Sequence, residues 1–237
     1  MKKIKFPWLY IICVFFVLYP TVALSASAQW GIISPNEAED KQTKKSVSIP
    51  IFTQIIVLTL PPDWSIKPVH ENVTQQHYIV EYLPKGQTLT NWHEMITLQG
   101  FKNLASAPQM SPKVLLSMLG NQIRKVCSDS FVVKYISSKN VDSYNAMSAV
   151  IGCGEVPNNH PSGIKKGQGE FGYYVAIKGN NEMYLVNRSW RGGAYSIETM
   201  PIDQDDLSTW ISNFKTIKVC EKNNKIATEC WEREIRD

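Results

Sequence analysis

The sequence predicts an α+β fold: an antiparallel sheet with flanking helices, held by two disulfides. Three observations lead there. Runs rich in β-branched and aromatic residues recur between Pro, Gly and Asn turn signals, at 54–60, 77–83, 131–137, 144–153, 171–178 and 182–189. Two segments, from Ser111 and from Asp203, instead carry apolar residues at three- and four-residue steps. The resulting order, β-β-α-α-β-β-β-β-α, lacks the regular β-α alternation of a parallel sheet.

The chain opens with a targeting signal rather than with the fold. Lys2, Lys3 and Lys5 precede an apolar run from Phe6 to Ala23, and Ala26-Ser27-Ala28 supplies the small residues a signal peptidase requires. Residues 1–28 are therefore expected to be a signal peptide, with cleavage after Ala28 and Gln29 as the new N-terminus. No stable membrane anchor is expected after that cleavage. The whole chain has 25 Lys plus Arg against 21 Asp plus Glu, for a formal charge of +4. Removing the three signal lysines leaves +1. So small an excess excludes a nucleic-acid binder that neutralises many phosphates.

Residues 29–48 are polar and charged and are expected to form a flexible leader. The single domain is placed at 49–219, large enough to bury its own core. Gln54–Leu60 is a strand ended by Pro61-Pro62-Asp63. Trp64–Val69 is extended, with Pro68 barring a central sheet position. His77–Leu83 is a second strand, stopped by Pro84-Lys85-Gly86. A short helix is expected over Trp92, His93 and Met95, capped by Thr90 or by Asn91, and Asn91 would place Glu94 at the capping-box position. Residues 100–110 are expected to be loop.

Ser111-Pro112 is a stronger helix start, a cap residue followed by proline at the first helical position. Val114, Leu115, Met118, Leu119, Gln122, Ile123 and Val126 form the expected inner face through Cys127. Four strands follow, with a hairpin at Gly179-Asn180-Asn181. The last helix starts near Asp203, with acids in its first turn. Its inner face is Leu207, Trp210, Ile211 and Phe214.

Cys13 lies in the signal, leaving Cys127, Cys153, Cys220 and Cys230. An even number in an exported chain points to bridges, and the expected pairs are Cys127–Cys153 and Cys220–Cys230. The second would staple a C-terminal tail, 220–237. No C-x-x-C occurs and no histidine is close to these cysteines, so neither metal nor cofactor is expected.

The segment Pro61-Pro62-Asp63-Trp64 ending an early strand, Tyr82-Leu83-Pro84 ending the next, a turn with Trp92, an amphipathic helix, a meander and a last helix with Trp210 together resemble the Mog1/PsbP-like group of α+β domains over residues 50–219. That resemblance implies a binding or assembly module. The leader and the bridged tail depart from the pattern. A small exported chain with two bridges is also similar to type II-secreted virulence proteins of Legionella-like bacteria.

The sequence carries no complete catalytic signature. His70, His77, His93 and His160 form no H-E-x-x-H or H-x-H. Gly167-Gln168-Gly169-Glu170-Phe171-Gly172 matches G-x-G-x-x-G in letters, but it opens a strand where a dinucleotide site needs a helix. No G-x-S-x-G elbow is present, and Asp203, Asp205 and Asp206 lack EF-hand spacing. Trp190 and Arg191, followed by Gly192-Gly193, suggest an aromatic–cation binding loop after a strand. The expected function is an exported, non-enzymatic binding protein of the periplasm or the exterior of a Gram-negative bacterium. It would be associated with virulence and would bind a protein partner of the envelope or a host. The alternatives are an exported hydrolase whose site assembles only in space, or a periplasmic component of a secretion or envelope machine.

Overall fold

In the computed structural model the described residues are 45–127, 129–159 and 163–222. The expected signal peptide, its cleavage point and most of the leader lie outside them, as does the tail beyond residue 222. The architecture is mostly antiparallel β with one main helix.

A seven-stranded sheet forms the body. Its spatial order is β3 (His70–Val73), β4 (His77–Tyr82), β5 (Glu94–Phe101), β9 (Met183–Gly193), β8 (Gln168–Lys178), β7 (Ala146–Cys153) and β6 (Phe131–Ser138). A three-stranded sheet has β2 (Gln54–Leu60) between β1 (Lys45–Ile51) and β10 (Lys218–Glu221). Every neighbouring pair is antiparallel. Helix α1 (Pro112–Val126) packs against β6, β7 and β8, and α2 (Gln204–Phe214) packs against β2 and β8.

Alternation of side chains along the strands decides which residues meet. One face of the large sheet presents Tyr78, Val80 and Tyr82 of β4, Ile96 and Leu98 of β5, Phe171, Tyr173, Val175 and Ile177 of β8, and Tyr184 and Val186 of β9. These pack with Ile49, Ile56, Leu58 and Leu60 of the small sheet and with Trp210 and Phe214 of α2 in one core. The opposite face holds α1 through buried Leu115, Leu116 and Leu119.

The start of α1 follows its sequence. Ser111 is extended, and its hydroxyl accepts from Val114 N at 3.3 Å. Its buried face is turned from the expected one, since Val114 and Val126 are exposed while Leu116 is buried. Several strands differ from expectation. The segment around Trp92 forms no helix: Glu94–Phe101 is β5, whose residues are buried on both faces between β4 and β9, so sheet pairing overrides a weak cap signal. β1 begins at Lys45, inside the expected leader, and β10 carries Cys220 into the small sheet, where Val219 pairs with Ile56. β8 begins at Gln168, just after Gly167 turns the chain with φ +79°.

Of the two expected bridges, the structure shows one, Cys127–Cys153. It joins the C-terminal end of α1 to the end of β7, and both cysteines are buried with Val156 and Ile164. Cys230 lies outside the described residues, and the pairing expected for it lies there too.

The Cys127–Cys153 bridge spans 26 positions. A loop of that length restricts the unfolded chain by about 3–4 kcal/mol in the chain-entropy account. Replacing both cysteines with Ser is expected to leave the far-UV circular dichroism in place but to lower the urea midpoint, with a steeper slope because the unfolded chain is released from its loop. An unchanged midpoint would show that the bridge adds nothing.

Candidate functional site

The second face of the large sheet carries α1 over β6–β8, but over β4, β5 and β9 it carries a row of polar side chains. Registry sets this row. Glu81 stands opposite Thr97, Thr97 opposite Asn187, and Asn187 opposite Tyr174. One step along, Ser189 faces Gly172, and one further, Arg191 faces Glu170. Glu81, Thr97, Asn187, Ser189 and Arg191 are all buried, between 3% and 6% exposed. A polar cluster this deep must be bonded internally or it costs stability.

Most of it is bonded. Asn187 Nδ2 donates to Ser189 Oγ at 2.9 Å. The Tyr174 ring lies across Gly172, where a Cβ would stand 2.7 Å from the ring and 2.8 Å from Ser189 Oγ. Glycine there leaves room for the Tyr174 ring beside Ser189. Arg191 donates to Glu170 Oε2 through Nε at 3.0 Å and Nη2 at 2.9 Å. Its guanidinium also sits 3.9 Å from the centroid of the Trp92 ring. Trp92, Leu83 and Met95 form a small apolar cluster with Leu89 beside the row.

Glu81 is the acid of the row. The residue is 4% exposed, and its carboxyl oxygens are not among the fully buried side-chain atoms left without a partner, which among the described residues are Ser48 Oγ, Gln54 Oε1, Tyr82 OH and Tyr184 OH. Burial, and then the nearby Glu170 carboxylate, push its pKa up to about 7, while Arg191 pulls the other way. Two carboxyls and one guanidinium thus share a single buried patch of sheet.

Trp190 and Arg191 are not in a loop. Both lie in β9, whose pairing with β8 runs to Gly193. As neighbours in a strand they point to opposite faces. Trp190 is half-buried, stacked on Phe171 at 5.4 Å and edge-on to Tyr195 at 6.0 Å. Two positions before it, on the same face, Arg188 pairs with Glu94, its Nε 3.0 Å from Oε2, and lies over Trp64 and Trp210 at 5.6 and 4.8 Å. Sequence reading singled out Arg191 but missed Glu81, Glu170 and Trp92, which come from three other segments.

The histidines do not converge. His77 stacks on Phe101 and shares a hydrogen bond with Gln99, and burial lowers its pKa. His93 is exposed, and its carbonyl accepts from Arg191 N at 2.9 Å. His70 pairs with Glu81 across β3 and β4, and His160 lies outside the described residues. Among the described residues no three of His, Cys, Asp and Glu cluster as a metal site, and no helix is long and apolar enough to cross a membrane. No protein-family model matches the chain, and no curated protein matches it.

The buried carboxyl of Glu81 makes stability depend on pH. Its pKa rises from 4.5 in the unfolded chain to about 7 in the fold, so between those values the native state binds the extra proton. The contribution of Glu81 to stability is therefore full below pH 4.5 and falls as pH rises through 7, by about 3 kcal/mol at most. Glu81→Gln is expected to flatten that part of the pH–stability curve and to equal or exceed the wild type in stability at pH 8. Parallel curves for the two proteins would refute the assignment.

Proposed function

We propose that the chain is an exported, disulfide-stabilised binding module, acting in the periplasm or outside the cell, whose binding face includes Arg191 with Glu81 and Glu170. The observation that carries this reading is the buried polar row itself. A sheet face that could be filled by apolar side chains instead holds an acid, a guanidinium and the polar Thr97, Asn187 and Ser189, at a cost to folding that a ligand would offset. The Cys127–Cys153 bridge supports delivery to an oxidising compartment, as do the signal features of residues 1–28. A binding role is also what the Mog1/PsbP-like resemblance implies. A protein partner in the envelope or in a host, and an association with virulence, belong to this proposal. So does the second bridge, Cys220–Cys230.

One observation favours a second reading, an exported hydrolase. Glu81 and Glu170 sense one another, and an acid held near pKa 7 beside an ionised carboxylate is the arrangement general acid–base chemistry uses. The burial of Glu81 counts against access by a bulky substrate, while the Glu170 side chain is 29% exposed.

Edman sequencing of protein recovered from periplasm and culture supernatant is expected to begin at Gln29. Recovery only from cytosol, beginning at Met1, would overturn export. The same preparation is expected to show no turnover on a panel of esters, peptides and glycosides. Turnover that Glu81→Gln lowers at least a hundred-fold would establish the hydrolase instead. Sedimentation with envelope membranes would identify a retained component of an envelope machine.

A further inference from the structure

We propose that the outer edge of β6, with the stripe of α1 beside it, is a docking site for an extended acidic segment of a partner protein, which pairs with Phe131–Tyr135 as a further strand of the large sheet. The inference does not depend on the reading of the polar row. It begins with the edges of the two sheets. β6 is the last strand of its sheet: β7 pairs with one side of it, and among the described residues no strand pairs with the other. The N–H and C=O groups along such an edge are a template for another chain. The other edges are poorer templates. β3 and β10 have four residues each, and β1 contains Pro50. β6 has eight residues and no proline. Its register with β7 is unbroken from Phe131, opposite Cys153, to Tyr135, opposite Ala149, and then shifts before Ser137. That bulge limits the added strand to about five residues.

The stripe of α1 beside the edge gives the template its sign. Lys113, Ser117, Gly120 and Arg124 follow one another at helical spacing along one flank. Ser117 Oγ and Tyr135 OH share a hydrogen bond at 3.1 Å, and the Arg124 guanidinium lies 4.7 Å from the centroid of the Phe131 ring. The flank therefore runs beside β6 on the side of Phe131 and Tyr135. Tyr135 is 43% exposed, and Lys113, Arg124 and Lys134 are exposed as well. The ion pairs of the described residues, Arg188–Glu94 and Arg191–Glu170, involve none of these cations. Residues 112–138 carry Lys113, Arg124, Lys125 and Lys134 against Asp129 alone, whereas in the rest of residues 45–222 the two signs balance. The positive excess of this part of the chain is thus concentrated on α1 and β6. A second copy of β6 would set cations against the same cations, and like charges across a strand pair repel. An anionic membrane would match the charge but not the edge, whose backbone groups call for a second backbone. An extended acidic segment satisfies both.

Fluorescence anisotropy of a labelled peptide, acetyl-Glu-Val-Glu-Val-Glu-Val-Glu amide, titrated with the oxidised protein at low ionic strength, tests the site. Saturable binding that weakens as sodium chloride is added is expected. The same peptide with lysine for each glutamate is expected not to bind. The acidic peptide with proline for each valine keeps the charge but cannot form a ladder, and is expected to bind at least ten-fold more weakly. Lys113→Glu combined with Lys134→Glu should weaken binding of the acidic peptide at least ten-fold while melting as the wild type does, since both side chains are exposed. Glu81→Gln should bind it as the wild type does, which separates this edge from the polar row. The proposal is overturned by no binding of the acidic peptide, by equal binding of the lysine or the proline peptide, or by undiminished binding in the double variant. Capture by phosphatidylglycerol vesicles without capture of the peptide would also overturn it, and would assign the charge to a membrane.

Discussion

The unbroken ladder between β8 and β9 is the constraint from which the rest of the arrangement follows. Two strands of eleven residues pair in register from Gln168–Gly193 to Lys178–Met183. With β5 on the other side, β9 becomes an interior strand of the large sheet, and its alternate residues are committed to opposite layers. Tyr184 and Val186 enter the core shared with the small sheet. Asn187, Ser189 and Arg191 enter the polar row. A slip of one residue would exchange the two sets and turn Asn187, Ser189 and Arg191 toward the apolar core.

β9 also carries two arginines three positions apart, on opposite faces, and the structure treats them alike. Arg188 has Glu94 as its counterion and lies over Trp64 and Trp210; Arg191 has Glu170 and lies over Trp92. In each case a planar guanidinium exchanges water for a carboxylate along its edge and an indole against its face. That combination suits Arg, whose delocalised charge is weakly hydrated, and would not suit Lys. It explains how a sheet with few charged residues in its interior can bury two cations near its centre. Glu81, by contrast, has Arg191 only as a nearby charge, while the guanidinium's hydrogen bonds go to Glu170.

Much of the fold was legible in the chain. QIIVLTL and HYIVEY carry strong strand composition between proline turns, Gly179-Asn180-Asn181 marks its hairpin, and Ser111-Pro112 fixes the start of α1. Other elements were not. β3 and β10 are four residues each and owe their form to pairing with β4 and β2 rather than to local preference. β5 contains MITLQGF after a cap-like Thr90-Asn91, and the local signal for a helical turn was outweighed by burial on both faces. The site was less legible still. In HYIVEY, Glu81 occupies the half of the alternation that ordinarily faces water, and nothing local reveals that Thr97 stands beside it or that Glu170 and Arg191 are near. Trp190-Arg191 drew notice because the two are adjacent, yet adjacency in a strand separates side chains. Cooperation between residues here runs across strands, between positions that the chain keeps roughly 15 to 110 residues apart.

The location of the bridge has a bearing on how the molecule is assembled. Cys127 and Cys153 are consecutive cysteines in the chain, and under the export proposed above they would be the first two beyond residue 28 to enter an oxidising space. Sulfurs that couple in order of arrival need no later shuffling by an isomerase. In the interval between them lie only β6 and β7, which already form an antiparallel pair. A crosslink can therefore set early around one helix end and one hairpin, before the long central strands, which come later in the chain, have emerged to complete the sheet.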